Sequence, residues 1–193
     1  MADARDVAVL VGSIRRDSFS RKLAHAFIAL APPTLAPEIV EIAALPLYNA
    51  DLEAGEIPAA CGHFRDRMRR AEAVLFVTPE YNRSVPAPLK NAIDVGSRPS
   101  GKSVFMRKPA AIISCSPGAL GAFGANHHLR QSLVYLDMPV LQQPEAYIGG
   151  VDKLLDAQGA IANPTTREFA TKYMAAFAEW IHRVAPRQLP TGK

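Results

Sequence analysis

The chain has 193 residues, of which 49% are hydrophobic and 21% are charged. These values are typical of a globular protein that buries roughly 70% of its unfolded surface, and they exclude disordered, collagen-like and disulfide-scaffold proteins. The formal net charge of +4 favours an anionic partner: a nucleic acid, a membrane surface or a phosphorylated small molecule. Two cysteines, Cys61 and Cys115, favour a reducing cytoplasm. No apolar run approaches the ~20 residues that span a bilayer, and the polar N-terminus shows no secretory signal.

Short apolar runs, typical of strands buried on both faces, alternate with amphipathic stretches, typical of helices. In chain order we predict a strand at 6–11, a helix at 19–30, a strand at 38–42, a helix at 63–70, a strand at 74–77, a helix from Pro88, a strand at 110–113, a helix at 123–136, a strand within 140–148 and a helix at 166–184. Strands separated by helices pair in parallel through right-handed crossovers. We therefore predict an α/β, flavodoxin-like three-layer sandwich with a five-stranded parallel sheet. No composition break divides residues 1–193, so we expect a single domain with a frayed tail at 185–193.

Ligands of open α/β sheets bind beyond the carboxyl ends of the strands, so the loops there are the first to examine. The loop at 12–20 (GSIRRDSFS) combines hydroxyls and a cation with the N-terminus of a helix, a set that favours phosphate. It lacks the Gly-x-Gly-x-x-Gly that a pyrophosphate requires, which favours a monophosphate such as that of FMN. The alternative is that Ser18 caps the helix and the other side chains are solvated.

Two further loops follow predicted strands. Residues 78–88 contain three prolines and offer backbone amides beside Tyr81 and Asn82, as the edge of a flat heteroaromatic ring requires. Residues 114–122 are small and glycine-rich, which allows close approach of a ligand. Either loop alone could be a plain connector. Three such loops at three strand ends predict one ligand site.

Other motifs are weaker. Residues 96–103 fit the P-loop formula Gly-x-x-x-x-Gly-Lys-Ser, but they follow a predicted helix and precede a strand, so we expect a polar connector. His127 and His128 are adjacent and point about 100° apart on a helix, so no metal site is expected. The arginines between 65 and 70 are expected to form a solvated helix face, and no interleaved aromatic residues suggest base stacking. We interpret Cys115 as a small buried residue at a strand end.

Residues 12–20, 79–82 (PEYN) and 89–94 (LKNAID) resemble the NADPH-dependent FMN reductases, most closely the bacterial chromate and quinone reductases related to the azoreductases. Residues 46–51, 108–109 and 128–131 are also similar, so the resemblance covers about 7–151. It implies bound FMN, NADPH or NADH as hydride donor, and two-electron, ping-pong reduction of a small-molecule acceptor such as a quinone, azo compound or chromate. It also implies a homodimer or homotetramer. Neither a nucleic acid, a membrane nor a metal is expected.

The resemblance assigns residues to three sides of the cofactor, and no catalytic side chain, because the flavin carries the chemistry. The loop implied to hold the phosphate contributes Gly12, Ser13, Arg15, Ser18, Phe19 and Ser20. The residues implied to line the isoalloxazine are Pro79, Glu80, Tyr81 and Asn82. The residues implied to close the third side are Cys115, Ser116 and Gly118.

This chain departs from the family pattern at a few positions. Ser20 stands where asparagine is frequent, Arg83 where an aromatic residue is frequent, and Val95-Gly96 where bulky residues are usual. The last two departures concern substrate range and subunit contacts. Two alternatives stay open: a free-flavin reductase, from which FMN dissociates as a substrate, and a flavodoxin-like electron carrier, which the basic charge disfavours.

Overall fold

The computed structural model describes residues 4–185, apart from the side chain of Leu52. Its strands and helices, in chain order, are β1 (Arg5–Val11), α1 (Phe19–Ile28), β2 (Leu35–Ile39), α2 (Ala59–Arg70), β3 (Ala73–Thr78), α3 (Ala87–Gly96), β4 (Ala110–Cys115), α4 (Phe123–Tyr135), β5 (Ala146–Ile148) and α5 (Pro164–Val184), with short 3₁₀ helices at Ala50–Glu53 and Val151–Lys153. All strand pairs are parallel, and the sheet order is β2-β1-β3-β4-β5. This is the flavodoxin order, so the predicted fold is confirmed.

Helices cover both faces of the sheet, which explains why the central strands are apolar throughout. Every residue of β3 and β4 is buried. Alternate strand residues point to opposite faces, so Leu75 packs with α1 and α5, whereas Phe76 packs with α2, α3 and α4. Because β1, β3 and β4 are parallel neighbours, the loops that follow them lie side by side at the carboxyl edge of the sheet.

The second strand lies three residues earlier than the predicted 38–42. The observed strand, β2, contains Pro37 and pairs only with β1. Proline lacks an N–H and is tolerated in such an edge strand. Val40 and Ile42, on which the prediction depended, are buried in the core. The alternating apolar pattern at 38–42 therefore reflects burial that continues beyond the end of the strand.

Helix α2 also differs from its prediction. It starts at Ala59, directly after Pro58, and its arginines are not all solvated. Arg65 is 3% exposed; its Nε donates to the carbonyl of Val95 at 2.9 Å, and its guanidinium pairs with Glu53. Arg67 bridges Asp6 at 2.8 Å and Glu38 at 3.0 Å. These carboxylates are distant in sequence, so the local pattern of α2 could not reveal them.

The P-loop-like segment and the two cysteines take their predicted places. Gly96 ends α3, and the segment that follows leads to β4, so the P-loop-like residues have the helix-loop-strand order. Cys61 and Cys115 are free and buried. Within residues 4–185, no helix is both long and apolar enough to cross a membrane. Ala185 follows α5 as its C-cap, and residues 186–193 of the expected tail lie outside the described residues.

Candidate functional site

The loops after β1, β3 and β4 meet around a cleft of about 160 Å³ at the carboxyl edge of the sheet. Its lining residues are Ser13, Arg15, Ser18, Phe19, Ser20, Pro79, Glu80, Tyr81, Cys115, Ser116, Pro117 and Val151. Gly12, Asn82 and Gly118, which the resemblance placed at the cofactor, do not line it. The sequence reasoning missed Pro117 and Val151. Pro117 lies within the predicted ligand loop at 114–122, whereas Val151 follows a short strand that the sequence places only within 140–148.

A pair of buried hydroxyls lies where α1 begins. The Oγ atoms of Ser18 and Ser20 are 2.8 Å apart, and Ser18 Oγ also accepts from the backbone N–H of Arg21 at 3.2 Å. Ser18 is therefore the N-cap of α1, as the alternative interpretation expected, and it faces the cleft as well. Two hydroxyls carry two hydrogens and their mutual bond uses one, so the other can be donated to an anion.

Arg15 supplies a positive charge at the same end of the cleft. Its backbone N–H donates to Ser13 Oγ at 3.3 Å, which shapes the loop. Its side chain is exposed and lines the cleft, and within residues 4–185 it forms no ion pair. Free guanidinium, hydroxyls and the N-terminal turn of α1 together form a set of donors suited to a phosphate.

Gly12 lies behind this end of the cleft. Its backbone N–H donates to the carbonyl of Val77 at 2.8 Å. A Cβ at this position would lie 2.8 Å from Thr78 Oγ1 and 3.0 Å from Pro79 Cδ, closer than side chains normally approach. Gly12 therefore brings the first loop directly against the start of the second.

The second loop contains a tight hairpin. The backbones of Tyr81 and Ser84 exchange hydrogen bonds of 3.1 and 2.9 Å, and the two residues between them, Asn82 and Arg83, have φ values of 50° and 62°. Two left-handed residues define a type I′ turn. Tyr81 lines the cleft although it is 56% exposed, whereas Asn82 is exposed at the tip. Within residues 4–185, the backbone N–H groups of Glu80 and Asn82 have no partner and are available to the edge of a flat ring, whereas those of Tyr81 and Ser84 are bonded within the hairpin.

Glu80 connects the second loop to helix α4. Its Oε2 accepts from the backbone N–H of Ala125 at 2.9 Å, in the first turn of a helix whose N-cap, Ala122, provides no capping side chain. A Cβ on Gly124 would lie 2.9 Å from the same oxygen. The carboxylate of Glu80 thus stabilises α4. Any contact of Glu80 with a ligand in the cleft is therefore expected from its backbone or its methylene groups.

The third side of the cleft is closed by the end of β4 and its loop. Cys115 is 1% exposed, and burial raises its pKa to about 12, so it remains a thiol at neutral pH. Ser116 Oγ donates to the carbonyl of Gly118 at 2.9 Å, and the carbonyl of Ser116 accepts from the N–H of Val151 at 3.3 Å. This last bond brings the 3₁₀ helix after β5 to the cleft and explains why Val151 lines it.

A larger groove, about 410 Å³, lies beside α1 and is lined by Lys22, His25, Leu30, Ile161 and Arg167, among others. Its lining residues do not come from the strand-end loops that follow β1, β3 and β4. The smaller cleft is the better candidate because three such loops converge there. Pockets that enclose a drug-sized ligand have volumes of ~300–1,000 Å³, so the smaller cleft is too small to enclose a whole mononucleotide.

Comparison with known proteins also points to a mononucleotide, FMN. Residues 5–153 match the family described as NADPH-dependent FMN reductase. The chain is 56% identical over 181 residues to a quinone reductase from Pseudomonas putida (94% of this chain, 97% of that protein). It is 44% identical over 178 residues to a 2-hydroxy-1,4-benzoquinone reductase from Burkholderia sp. (92% and 97%). The solved structure of FerB, a flavoenzyme NAD(P)H:(acceptor) oxidoreductase from Paracoccus denitrificans, is 39% identical with a TM-score of 0.89 (94% and 99%).

These matches extend over nearly the whole chain and agree with the resemblance of the loop segments. The family's cofactor also agrees with the donors found at the cleft, since hydroxyls, a guanidinium and a helix N-terminus suit the phosphate of FMN. The chain therefore belongs to the NADPH-dependent FMN reductase family.

Proposed function

We propose that this member of the family is an FMN-containing NAD(P)H:quinone oxidoreductase that reduces its acceptor by two electrons. The observation that carries the proposal is a cleft with phosphate donors at one end and the rigid edge of the second loop at the other, in a chain 56% identical to a quinone reductase. When bound, FMN accepts hydride from the nicotinamide donor and supplies two electrons to the acceptor.

The chain's own residues bind and orient the cofactor. In our proposal, Ser13, Arg15, Ser18 and Ser20 hold the phosphate, and Pro79, Glu80 and Tyr81 line the ring. Cys115 and Ser116 close the third side. Gly12 acts by spacing two loops, and Asn82 and Gly118 support their loops from outside the cleft. Backbone N–H groups of the second loop would stabilise negative charge that develops on the ring.

The open side of the cleft supports a ping-pong cycle, in which donor and acceptor occupy the same exposed face in turn. Such a cycle needs no side-chain nucleophile, and the buried thiol of Cys115 offers none. We place the reaction in the cytoplasm, which is consistent with two free, buried cysteines.

We further propose that two or four copies assemble. Helix α4 exposes Phe123, Val134 and Tyr135, the last two at 73% and 84% exposure, and large apolar side chains of this kind are frequent at subunit contacts. Light scattering coupled to gel filtration tests this proposal; a mass of one chain at micromolar concentration would contradict it.

Spectroscopy and turnover together test the proposed function. The purified protein is expected to be yellow, to keep its flavin absorption through gel filtration, and to oxidise NADPH with benzoquinone without another protein. Loss of the flavin band on the column would favour the free-flavin reductase. A retained flavin without NADPH oxidation would favour the electron carrier.

A further inference from the structure

Arg83 occupies an unfavourable backbone position. It is the second central residue of the type I′ turn between Tyr81 and Ser84, with a φ of 62°. This left-handed conformation is one that glycine adopts freely and a residue with a Cβ does not. Helix α4 approaches it closely, since a Cβ on Gly124 would lie 2.8 Å from the carbonyl oxygen of Arg83.

Within residues 4–185, the side chain of Arg83 makes one long contact, which does little to compensate for this strain. It is 73% exposed, and its ion-pair partner within residues 4–185 is Glu80, at 3.5 Å. The carboxylate of Glu80 already accepts from the N–H of Ala125 at 2.9 Å. The guanidinium therefore keeps most of its donors available to a further anion.

The position of Arg83 suggests which molecule supplies that anion. Tyr81, two residues earlier, lines the cleft, so the turn lies at its mouth while Arg83 itself is outside the lining. The guanidinium is therefore close to a molecule that docks at Tyr81. Of the two substrates in the proposed cycle, the nicotinamide dinucleotide carries phosphates, whereas a simple quinone is neutral.

We propose that Arg83 binds a phosphate group of the nicotinamide dinucleotide at the mouth of the cleft and so raises the affinity for the hydride donor. The planar guanidinium is suited to phosphate oxygens. The phosphate is either the pyrophosphate, common to NADH and NADPH, or the 2′-phosphate of NADPH. This inference rests on the proposed function and assigns Arg83 to the donor half of the cycle.

Three variants test it: Arg83→Gly, Arg83→Lys and the matched control Arg107→Gly. Arg107 also has a positive φ, 61°, and is 86% exposed, but it precedes β4 and so lies at the opposite edge of the sheet. Both glycine variants relieve backbone strain, so each is expected to raise the thermal midpoint of the FMN-saturated protein by about 2–4 °C. Arg83→Lys keeps both the charge and the wild-type midpoint.

Only Arg83→Gly is expected to affect the donor. The dissociation constant of NADP⁺, measured by calorimetry, should rise about fivefold to tenfold, an effect moderated by the exposure of the site. The kcat/KM for NADPH should fall by the same factor, while the kcat/KM for benzoquinone stays unchanged. Arg107→Gly should leave all three constants at wild-type values, and Arg83→Lys should stay within about threefold of them.

The outcomes separate the possible phosphates. Weaker binding of NADP⁺ alone would assign the 2′-phosphate, and weaker binding of both NADP⁺ and NAD⁺ would assign the pyrophosphate; both support the proposal. Wild-type dissociation constants in Arg83→Gly, with a raised midpoint, would overturn it and leave Arg83 a strained surface residue. Failure of the proposed function is distinguishable, because the wild-type protein itself would then not oxidise NADPH with benzoquinone.

Discussion

Arginines occur in two contrasting settings in this molecule. On helix α2, Arg65 and Arg67 are enclosed by carboxylates and a carbonyl from distant parts of the chain. Around the cleft, Arg15 forms no ion pair within residues 4–185, and Arg83 has a single contact of 3.5 Å. The comparison shows that net charge alone identifies no site. A cation whose partners lie within the fold stabilises the fold, whereas a cation without them at the end of parallel strands is available to a ligand.

The largest expected effect is on the stability of the fold, through the enclosed Arg65. Replacing Arg65 with alanine would leave the Glu53 carboxylate and the Val95 carbonyl without their partner in a buried region. The expected loss of unfolding free energy is about 3–5 kcal/mol, measured by urea denaturation of the apoprotein. The FMN affinity of the remaining folded protein should not change. A loss of FMN affinity with a wild-type unfolding free energy would show that Arg65 acts on the ligand and not on the fold.

Replacing Arg15 with alanine should weaken FMN binding and leave the stability of the fold nearly unchanged. The expected loss is about 1.5–3 kcal/mol of FMN binding free energy, measured by fluorescence titration of the apoprotein, because one charge-assisted phosphate contact is removed. Unfolding of the apoprotein should stay within about 0.5 kcal/mol of wild type. Arg70→Ala, another exposed arginine, is the control and should leave both quantities unchanged. Equal FMN affinity in the two variants would show that Arg15 does not bind the phosphate.

Glu80 lies between the two settings, since its carboxylate faces the cleft loops but is bonded to helix α4. Glu80→Ala should lower the unfolding free energy of the apoprotein by about 1 kcal/mol, as the loss of a helix N-terminal acceptor does. Glu80→Gln keeps an acceptor oxygen and should lose less. If the alanine variant unfolds like wild type, the bond to Ala125 contributes nothing and the carboxylate is free to act on a ligand.

The smallest expected effect concerns the thiols. Burial raises the pKa of Cys115 to about 12 and raises that of Cys61, so the native protein should resist iodoacetamide at pH 8. Mass spectrometry should detect both adducts only after unfolding in urea. Because the unfolded thiols ionise more readily, they favour unfolding as pH rises above about 9. Rapid alkylation of Cys115 in the native state would contradict its assignment as an inert wall of the cleft.

Parts of the fold and site could be predicted because their cause is local. The runs that form β1, β3 and β4 are apolar over their whole length, since both faces are covered, and the polar loops after them stand out by contrast. Ser18 illustrates the limit of such reasoning. From the sequence, helix cap and phosphate ligand are alternative roles for this residue, yet its one hydroxyl both accepts from Arg21 and faces the cleft.

Other features depend on partners far apart in sequence and could not be predicted. The true register of β2 depends on its edge position, which makes Pro37 tolerable. The enclosure of Arg67 depends on Asp6, 61 residues away. Val151 is held at the cleft by its backbone bond to Ser116. It follows a strand of only three residues, which is too short to give a periodic pattern.

The close approach at Gly12 also has a consequence for tolerance to substitution. A Cβ there would lie 2.8 Å from Thr78 Oγ1 and 3.0 Å from Pro79 Cδ, so the two loops leave no room for a side chain at residue 12. Even the single methyl group of alanine would therefore have to move one loop away from the other. A residue that does not itself line the cleft thus limits how far its two walls can be rebuilt by mutation.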